Sequence, residues 1–306
     1  MRAARRRLVT ALTGAVAFAS AALTAAGGWI YFSTESRLNR IYRVDAREEI
    51  AGGGPNALRR GRHLVEVVGS CTTCHGDDLA GSVMADEWGL GRLDSTNLTP
   101  GRGGIADYSD ADLVHSIRFG VRRDGRPLLM MPSQHFAHFS NADLGAIITY
   151  LRSLPPVDRR AAKRRIGPVT RLVLSLGAAP DLLPAEMMDG QRPVVDAPIP
   201  AATARYGAYL VTTAGCKVCH REDLRGGLHP LSLPGEPPPP DLTPDGTMKN
   251  WSEANFMQTL KSGVTPDGRE LDEAFMPWRR IARMNDSELR AIWLHLRSLP
   301  SRGSSL

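Results

Sequence analysis

Cys71-Thr72-Thr73-Cys74-His75 decides the fold of this 306-residue chain, and the same pattern returns as Cys216-Lys217-Val218-Cys219-His220. In C-x-x-C-H, two thiols one helical turn apart can each form a thioether to one porphyrin, and the following histidine then lies under the iron as its proximal ligand. All four cysteines of the chain belong to these motifs. A zinc knuckle and a thioredoxin-like redox pair are alternative interpretations. The motifs predict two covalently bound haem c groups, attached through Cys71, Cys74, Cys216 and Cys219 and ligated by His75 and His220.

The composition agrees with a core that contains more than protein side chains. Hydrophobic residues make up 42% of the chain, but aromatic residues only 6%. A buried macrocycle would supply the missing apolar mass in each small domain. The formal net charge of +6 is uneven, with basic residues concentrated in 2–7 and 159–165. Proteins that bind single-stranded nucleic acid interleave basic and aromatic residues, and this chain shows no such pattern. We therefore expect no nucleic-acid partner.

The N-terminal segment is the candidate membrane span. Residues 8–32 contain no charged residue, and at helical rise this stretch covers roughly 37 Å, enough to cross the hydrocarbon of a bilayer. Basic residues precede the span, and Trp29 and Tyr31 close it. These features predict a single-pass inner-membrane anchor over 1–33 with a cytoplasmic N-terminus and periplasmic haem domains. A secretory signal peptide with a cleavage site at Ala17-Phe18-Ala19 is the alternative, and it also exports the remainder.

The second half of the chain repeats the first. The separation is 145 residues both between the C-x-x-C-H motifs and between the two Met-Pro pairs. Further matches are Asn97-Leu98-Thr99-Pro100 with Asp241-Leu242-Thr243-Pro244, Tyr108-Ser109 with Trp251-Ser252, Asp124-Gly125-Arg126 with Asp267-Gly268-Arg269, and Leu151-Arg152-Ser153-Leu154-Pro155 with Leu296-Arg297-Ser298-Leu299-Pro300. A repeat of this length, present twice, indicates domain duplication. The predicted division is an anchor (1–33), a stalk (34–55), a first domain (56–157), a partly packed linker (158–202) and a second domain (203–302).

Each repeat is predicted to be helical, so that the fold class is all-α. Ser109 and Ser252 are suitable N-caps for short helices. Apolar residues recur at helical spacing in the last helix of each repeat, which Pro155 and Pro300 end. No stretch shows the strict alternation of apolar and polar residues that is typical of a half-buried strand.

A methionine that lies sixty residues after the first cysteine of each motif is the predicted second axial ligand. Met131 and Met276 each precede a proline. An iron held by histidine and methionine is coordinatively saturated, which suits electron transfer. Met130 is the competing ligand in the first repeat. Arg126 and Arg269 recur in Asp-Gly-Arg, where Asp-Gly favours a turn and the guanidinium fork could contact a haem propionate.

Together these motifs resemble the membrane-anchored multihaem cytochrome c subunits of bacterial alcohol, aldehyde and gluconate-type dehydrogenases, and the wider class of mono- and dihaem cytochromes c. The resemblance covers about residues 56–156 and 203–300. Those subunits usually carry three haem motifs, whereas this chain has two. The resemblance implies two tandem class I cytochrome c domains after the transmembrane helix. It also implies that the first and last helices of each domain cross closely at Gly61 and Gly207.

The leading functional hypothesis is a dihaem electron carrier at the periplasmic face of the inner membrane, with no bond chemistry on a substrate. It would pass electrons between a dehydrogenase and the respiratory chain, with a dehydrogenase subunit, an oxidase or a soluble cytochrome as its redox partner. The alternative is a haem enzyme, either a dihaem peroxidase or a thiosulfate-oxidising cytochrome, in which one iron has an exchangeable distal site. Carbon monoxide binding by the unmodified protein would favour that alternative.

Overall fold

The N-terminal helix is long and apolar enough to cross a membrane. The computed structural model describes residues 2–44, 55–188, 198–228, 232 and 235–301. Its first element, helix α1 (Arg2–Leu38), leaves its apolar window wholly exposed, so this surface belongs to no protein core. A signal sequence at the N-terminus would have the same length and composition. Most of the predicted stalk, residues 45–54, and residues 189–197 of the predicted linker lie outside the described residues.

The first repeat is built from five helices. They are α2 (Pro55–His63), α3 (Thr72–His75), α4 (Asp110–Phe119), α5 (Ser133–Phe136) and α6 (Asn141–Ser153). The predicted N-cap of α4 is confirmed, because the Ser109 hydroxyl accepts the Asp112 N–H at 3.1 Å and the Asp112 carboxylate bonds back to the Ser109 N–H. Such a capping box satisfies two backbone donors of the first turn.

A small sheet corrects the all-α prediction. Strands β1 (Val83–Glu87), β2 (Gly91–Asp94) and β3 (Arg165–Ile166) form an antiparallel sheet in that order, and β3 comes from the linker. The strands are short and β1 is mostly exposed. Backbone hydrogen bonds and polar side chains therefore hold the sheet, and its sequence carries no apolar alternation from which strands could be predicted.

The linker packs against α1 and the first repeat. It contains helix α7 (Pro168–Ser175), a 3₁₀ turn (Pro180–Leu182) and helix α8 (Pro184–Met187). Leu38, Leu174 and Leu183 form a small buried cluster that joins the end of α1 to this segment. α1 continues beyond the predicted boundary at residue 33 because its last turns take part in this packing.

The described residues of the second repeat contain five helices in the same order. They are α9 (Ala204–Thr213), α10 (Cys216–His220), α11 (Glu253–Ser262), α12 (Trp278–Ile281) and α13 (Asp286–Arg297). The Ser252 cap of α11 is confirmed, since its hydroxyl accepts the Asn255 N–H at 3.1 Å. One apolar core runs through both repeats and includes residues of α6, α9 and α13.

Two glycines allow the first and last helices of each repeat to cross in close contact. A Cβ atom at Gly61 would collide with the Ala146 carbonyl oxygen and lie 2.8 Å from Tyr150 Cβ. A Cβ atom at Gly207 would meet the carbonyl of Ala291 in the same way. The crossings of α2 with α6 and of α9 with α13 confirm what the resemblance implied at these glycines.

A π-helical turn accommodates one extra residue in the first repeat. Cys71 follows Gly61 by one residue more than Cys216 follows Gly207. Residues Leu64–Val68 form the π-helical turn, and most of their side chains are buried. Because a π turn takes up one residue without changing the axis of the helix, both C-x-x-C-H motifs begin at equivalent places.

Candidate haem sites and the interface between the repeats

The two cysteines of each motif lie on one helical turn. In the first repeat the Cys71 carbonyl accepts the His75 N–H at 2.9 Å, and in the second repeat α10 begins at Cys216. No disulfide joins any of these four cysteines. Burial raises the pKa of Cys71 to about 12 and the pKa of Cys216 to about 11. Each site therefore presents two neutral thiols one turn apart, the arrangement that two thioethers to one porphyrin require.

The motif histidines are buried and held in one tautomer. His75 is 8% exposed and His220 is 5% exposed. Nδ1 of His75 lies 2.7 Å from the Thr96 carbonyl oxygen, and Nδ1 of His220 lies 2.9 Å from the Pro240 carbonyl oxygen. Since a carbonyl oxygen only accepts, Nδ1 donates and Nε2 keeps its lone pair. Burial lowers the pKa of both rings, against the opposing effect of these hydrogen bonds, so that each ring is neutral and fits an iron ligand.

A repeated loop supplies the carbonyl that orients each histidine. Thr96 immediately precedes Asn97-Leu98-Thr99-Pro100, and Pro240 immediately precedes Asp241-Leu242-Thr243-Pro244. In both loops the side chain at the first position accepts the N–H of the threonine at 2.8 Å. The leucine N–H donates at 2.8 Å to the carbonyl of Leu79 in one repeat and Leu224 in the other. The repeated motif was visible in the sequence, but its role of orienting the histidine was not predicted.

The two predicted methionine ligands occupy equivalent places in the fold. Met131 and Met276 both pack against the apolar core, and each carbonyl accepts the N–H two residues on, at 2.7 Å and 2.6 Å. Met130 is 43% exposed, has a left-handed φ of 66°, and donates its N–H to Leu182. The side chain of Met130 therefore points away from the core that Met131 enters.

The repeated Asp-Gly-Arg segments are turns at the protein surface. Gly125 and Gly268 have φ values of 80° and 84°, which favour glycine. Arg126 and Arg269 are exposed. The turn interpretation is confirmed, and the contact of these arginines with haem propionates stays a prediction.

Two buried carboxylates mark the interface between the repeats. Asp143 and Glu288 stand at equivalent positions in the first turns of α6 and α13, and they are 7% and 2% exposed. Arg60 on α2 donates to both oxygens of Asp143 at 2.9 Å and 2.8 Å. The same guanidinium lies 3.8 Å from Glu288 and 3.3 Å from the Tyr206 hydroxyl. One cation therefore lies between a carboxylate of each repeat.

Two further bonds cross this interface in opposite directions. His63 of the first repeat bonds to Glu288 of the second through Nε2 at 2.9 Å. Tyr209 of the second repeat donates its hydroxyl to Asp143 of the first at 2.6 Å. His63 and Tyr209 each lie two residues after the crossing glycine of their own repeat. The two repeats thus face each other with approximate twofold symmetry.

The interface also touches the segment that leads into each haem motif. α12, which follows Met276-Pro277, contacts the π-helical turn that leads into Cys71. Arg283 forms an ion pair with Glu66 of that turn at 2.9 Å. Burial raises the pKa of the Cys74 thiol, and the positive charge of Arg280 partly opposes this rise. In the reverse direction α5 contacts α9, which leads into Cys216. The short helix that follows the predicted methionine ligand of each repeat therefore lies beside the segment that leads into the cysteine motif of the other repeat.

Sequence reasoning did not identify this interface cluster. Arg60, Asp143 and Glu288 lie far apart in the sequence and carry no motif. The available signal was the recurrence of an acidic residue at the same repeat position, three residues after the N-cap of the last helix. An acidic residue there is also a usual helix-start feature, so the pattern alone does not indicate burial.

The carboxylate of Glu288 is expected to make stability depend on acid pH. Burial alone would raise its pKa, but the hydrogen bond from His63 and the nearby charges of His63 and Arg60 leave the pKa lowered. A carboxylate with a lowered folded pKa contributes stability above its unfolded pKa and loses it as the pH falls through the folded value. Arg60 and His63 on α2, and Tyr206 on α9, are the other groups that face Glu288.

Acid unfolding of a Glu288→Gln variant measures this contribution. The unmodified protein should lose stability more steeply below about pH 4.5, the ordinary glutamate range, than the variant does. The two stability curves should converge at the acid end. Glu253→Gln, at an exposed ion pair with Arg290, is the matched control and should leave the slope unchanged. Parallel curves for Glu288→Gln and the unmodified protein would contradict the prediction.

Family models match both repeats. Residues 204–300 match the model described as cytochrome c, and residues 56–151 match the model described as cytochrome c oxidase, cbb3-type, subunit III. The fructose dehydrogenase cytochrome subunit of Gluconobacter japonicus is 27% identical over 268 residues, covering 81% of this chain and 54% of that protein. The gluconate 2-dehydrogenase cytochrome c subunit of Pantoea cypripedii is 28% identical over 283 residues, covering 81% of this chain and 60% of that protein.

A relative of similar length carries the description of two haems. The diheme cytochrome c-type protein of Cereibacter sphaeroides is 27% identical over 283 residues, covering 84% of this chain and 91% of that protein. The chain spans about half the length of the fructose dehydrogenase subunit and of the alcohol dehydrogenase cytochrome c subunit of Komagataeibacter europaeus. On the matches in both repeats and the thiol and imidazole geometry of its two motifs, the chain contains cytochrome c domains and is homologous to the cytochrome c subunits of bacterial dehydrogenases.

Proposed function

We propose that the chain carries two haem c groups and passes electrons between them. The first haem would be held by Cys71, Cys74, His75 and Met131, and the second by Cys216, Cys219, His220 and Met276. When bound, each haem supplies an iron that changes between the ferrous and ferric states without an open coordination site. The chain itself fixes the imidazole tautomers through the carbonyls of Thr96 and Pro240, and holds the two methionines against the apolar core.

The packing of the two repeats against each other is the observation that supports this proposal. α12 lies against the turn that leads into Cys71, and α5 lies against the helix that leads into Cys216. The buried cluster around Arg60 joins α2 and α6 of the first repeat to α9 and α13 of the second. Two haem sites in rigidly packed repeats keep a constant separation and orientation, which a relay of single electrons between them requires.

The chain is further proposed to work at the periplasmic face of the inner membrane. α1 would be a single-pass anchor, since arginines precede its apolar stretch and aromatic residues close it. Several relatives are described as cytochrome subunits of dehydrogenases, which supports a dehydrogenase as the electron donor. The electrons would then pass to an acceptor of the respiratory chain, and the chain itself would not be the catalytic subunit.

Carbon monoxide tests the proposed axial ligands. The reduced, unmodified protein is expected not to bind carbon monoxide, because both irons have a sixth ligand. Met131→Ala and Met276→Ala should each open one site, so that each variant binds one carbon monoxide per two haems. Difference spectra against total haem content give this ratio, and loss of the sulfur-to-iron charge-transfer band in the oxidised protein reports the same change independently.

Met130→Ala is the matched control in the first repeat. Its side chain is exposed, so the variant should keep the spectrum of the unmodified protein. Carbon monoxide binding by Met130→Ala, with none by Met131→Ala, would reassign the ligand to Met130. Binding by the unmodified protein would contradict the electron-carrier proposal and favour a haem enzyme with an exchangeable distal site.

A further inference from the structure

Helix α7 lies beside the end of the candidate membrane span. The Arg171 guanidinium lies 4.5 Å from the centroid of the Tyr31 ring and pairs with Glu35 at 2.8 Å. The Thr34 hydroxyl lies 3.2 Å from the Arg171 carbonyl oxygen. Tyr31 is the next-to-last residue of the stretch 8–32 that forms the candidate span. α7 therefore starts at the level where α1 would leave the hydrocarbon of a bilayer.

The contacts also give the direction of α7. The Arg171 carbonyl accepts a hydrogen bond from Thr34 of α1, and the Leu174 carbonyl accepts one from Arg37, three residues further along α1. Residue numbers thus increase together, and the two helices run in the same direction. The first residues of α7 point towards the span, and its last residues point away from it.

The β1–β2 hairpin is fastened to the first residues of α7. The Val169 N–H donates to the Gly89 carbonyl at 3.0 Å, and the Thr170 hydroxyl donates to the Leu90 carbonyl at 3.0 Å. The tip of the hairpin contains Trp88, next to Gly89. Trp88 is therefore placed on the side of the first repeat that faces the span.

Large apolar side chains are exposed on this side. Trp88 is 86% exposed, Val169 is 47%, Leu172 is 44% and Leu90 is 41%. Tryptophan favours the boundary between hydrocarbon and headgroups, where its ring has both an apolar and a polar environment. Asp86 and Glu87 lie on the same hairpin as Arg92, and the basic run 163–165 leads into β3. Because the charges on this side of the first repeat have mixed sign, its exposed apolar side chains, and not its net charge, determine what binds there.

We propose that Trp88, Leu90, Val169 and Leu172 form a second membrane contact, which seats the first repeat on the outer surface of the bilayer beside α1. This inference rests on the proposed role of α1 as a retained anchor. The first haem site then lies in the repeat next to the membrane.

Brominated phospholipids test the contact, because bromine on the acyl chains quenches only tryptophans that reach them. The full, haem-loaded chain is reconstituted in nanodiscs of phosphatidylcholine and phosphatidylglycerol, with or without bromine. The ratio of emission in the two lipids cancels any absorption by haem. In a Trp29→Phe variant, quenching by brominated lipid should persist, and in Trp29→Phe with Trp88→Phe it should be lost.

A depth series along α7 provides matched variants. In the background that lacks both tryptophans, Leu172→Trp should restore quenching, whereas Leu176→Trp should not. Leu176 is 64% exposed and lies at the end of α7 that points away from the span. Both positions are exposed, so neither replacement disturbs a core.

The outcomes separate the two proposals. The intact mass of the purified chain shows whether α1 is retained, and its loss would overturn both the anchor and the membrane seat. A retained α1 with no quenching in Trp29→Phe would overturn the seat alone. Equal quenching at positions 172 and 176 would also overturn it, because the proposed direction of α7 would then be wrong.

Discussion

Replacing Arg60 with methionine is expected to lower the free energy of unfolding by about 3–5 kcal/mol. Arg60 is the cation shared by Asp143 and Glu288, whose side chains are 11% and 3% exposed. Methionine keeps most of the volume of the side chain but removes the shared cation from two buried carboxylates. Tyr209 then still donates to Asp143, and His63 and the Asn285 N–H still bond to Glu288. Denaturant unfolding of the haem-loaded protein in detergent, followed by far-ultraviolet circular dichroism, measures the loss.

An exposed ion pair provides the comparison for Arg60. Arg290 pairs with Glu253 at 2.6 Å, with side chains 56% and 33% exposed. Arg290→Met should therefore cost less than about 1 kcal/mol. Combining Arg60→Met with Asp143→Leu and Glu288→Leu should recover most of the stability, because no buried charge is then left unpaired. Equal losses for Arg60→Met and Arg290→Met would show that the cluster does not hold the repeats together.

Gly207→Ala is expected to destabilise the protein by about 3 kcal/mol. The new Cβ atom would collide with the Ala291 carbonyl oxygen and lie 2.8 Å from His295 Cβ. A carbonyl of a helix backbone cannot turn aside as a flexible side chain can, so α9 and α13 must move apart. Helix propensity alone predicts the opposite sign, a gain of about 1 kcal/mol on replacing glycine by alanine. The sign of the change in unfolding free energy therefore tests the close crossing.

Gly27→Ala is the control for Gly207→Ala. Among the described residues, and apart from the neighbouring residues and backbone of α1 itself, no atom lies within 4 Å of the position that its Cβ would occupy. This replacement should leave the unfolding midpoint of the haem repeats unchanged. A Gly207→Ala variant as stable as the unmodified protein would mean that the helices do not cross at the distance found here.

Much of the geometry of each candidate haem site follows from the sequence because its parts are close in sequence. The thiols and the histidine of C-x-x-C-H lie within one helical turn, so their spacing fixes their relative positions whatever the rest of the chain does. The duplication then indicated which methionines are equivalent, and the fold places Met131 and Met276 alike against the core while Met130 points outward. The capping residues Ser109 and Ser252 were predictable for the same local reason.

The small sheet escaped prediction because its stability does not come from an apolar face. β1 is mostly exposed, β2 buries only Leu93 as an apolar side chain, and β3 joins them from more than seventy residues further along the chain. The carbonyls that orient the histidines were missed for a related reason. Thr96 and Pro240 act through the backbone, and a backbone acceptor leaves no trace in the identity of the residue.

The sequence by itself determined the local chemistry of this protein: two attachment motifs, a methionine after each, a duplicated helical domain and one apolar N-terminal helix. Only the tertiary structure decided how the copies meet. Arg60 comes to lie between Asp143 and Glu288, and α7 with its attached hairpin comes to lie beside the end of α1. Such contacts join residues that are distant along the chain, and their energy depends on burial. Burial is a property of the folded surface and is not encoded in the spacing of any single motif.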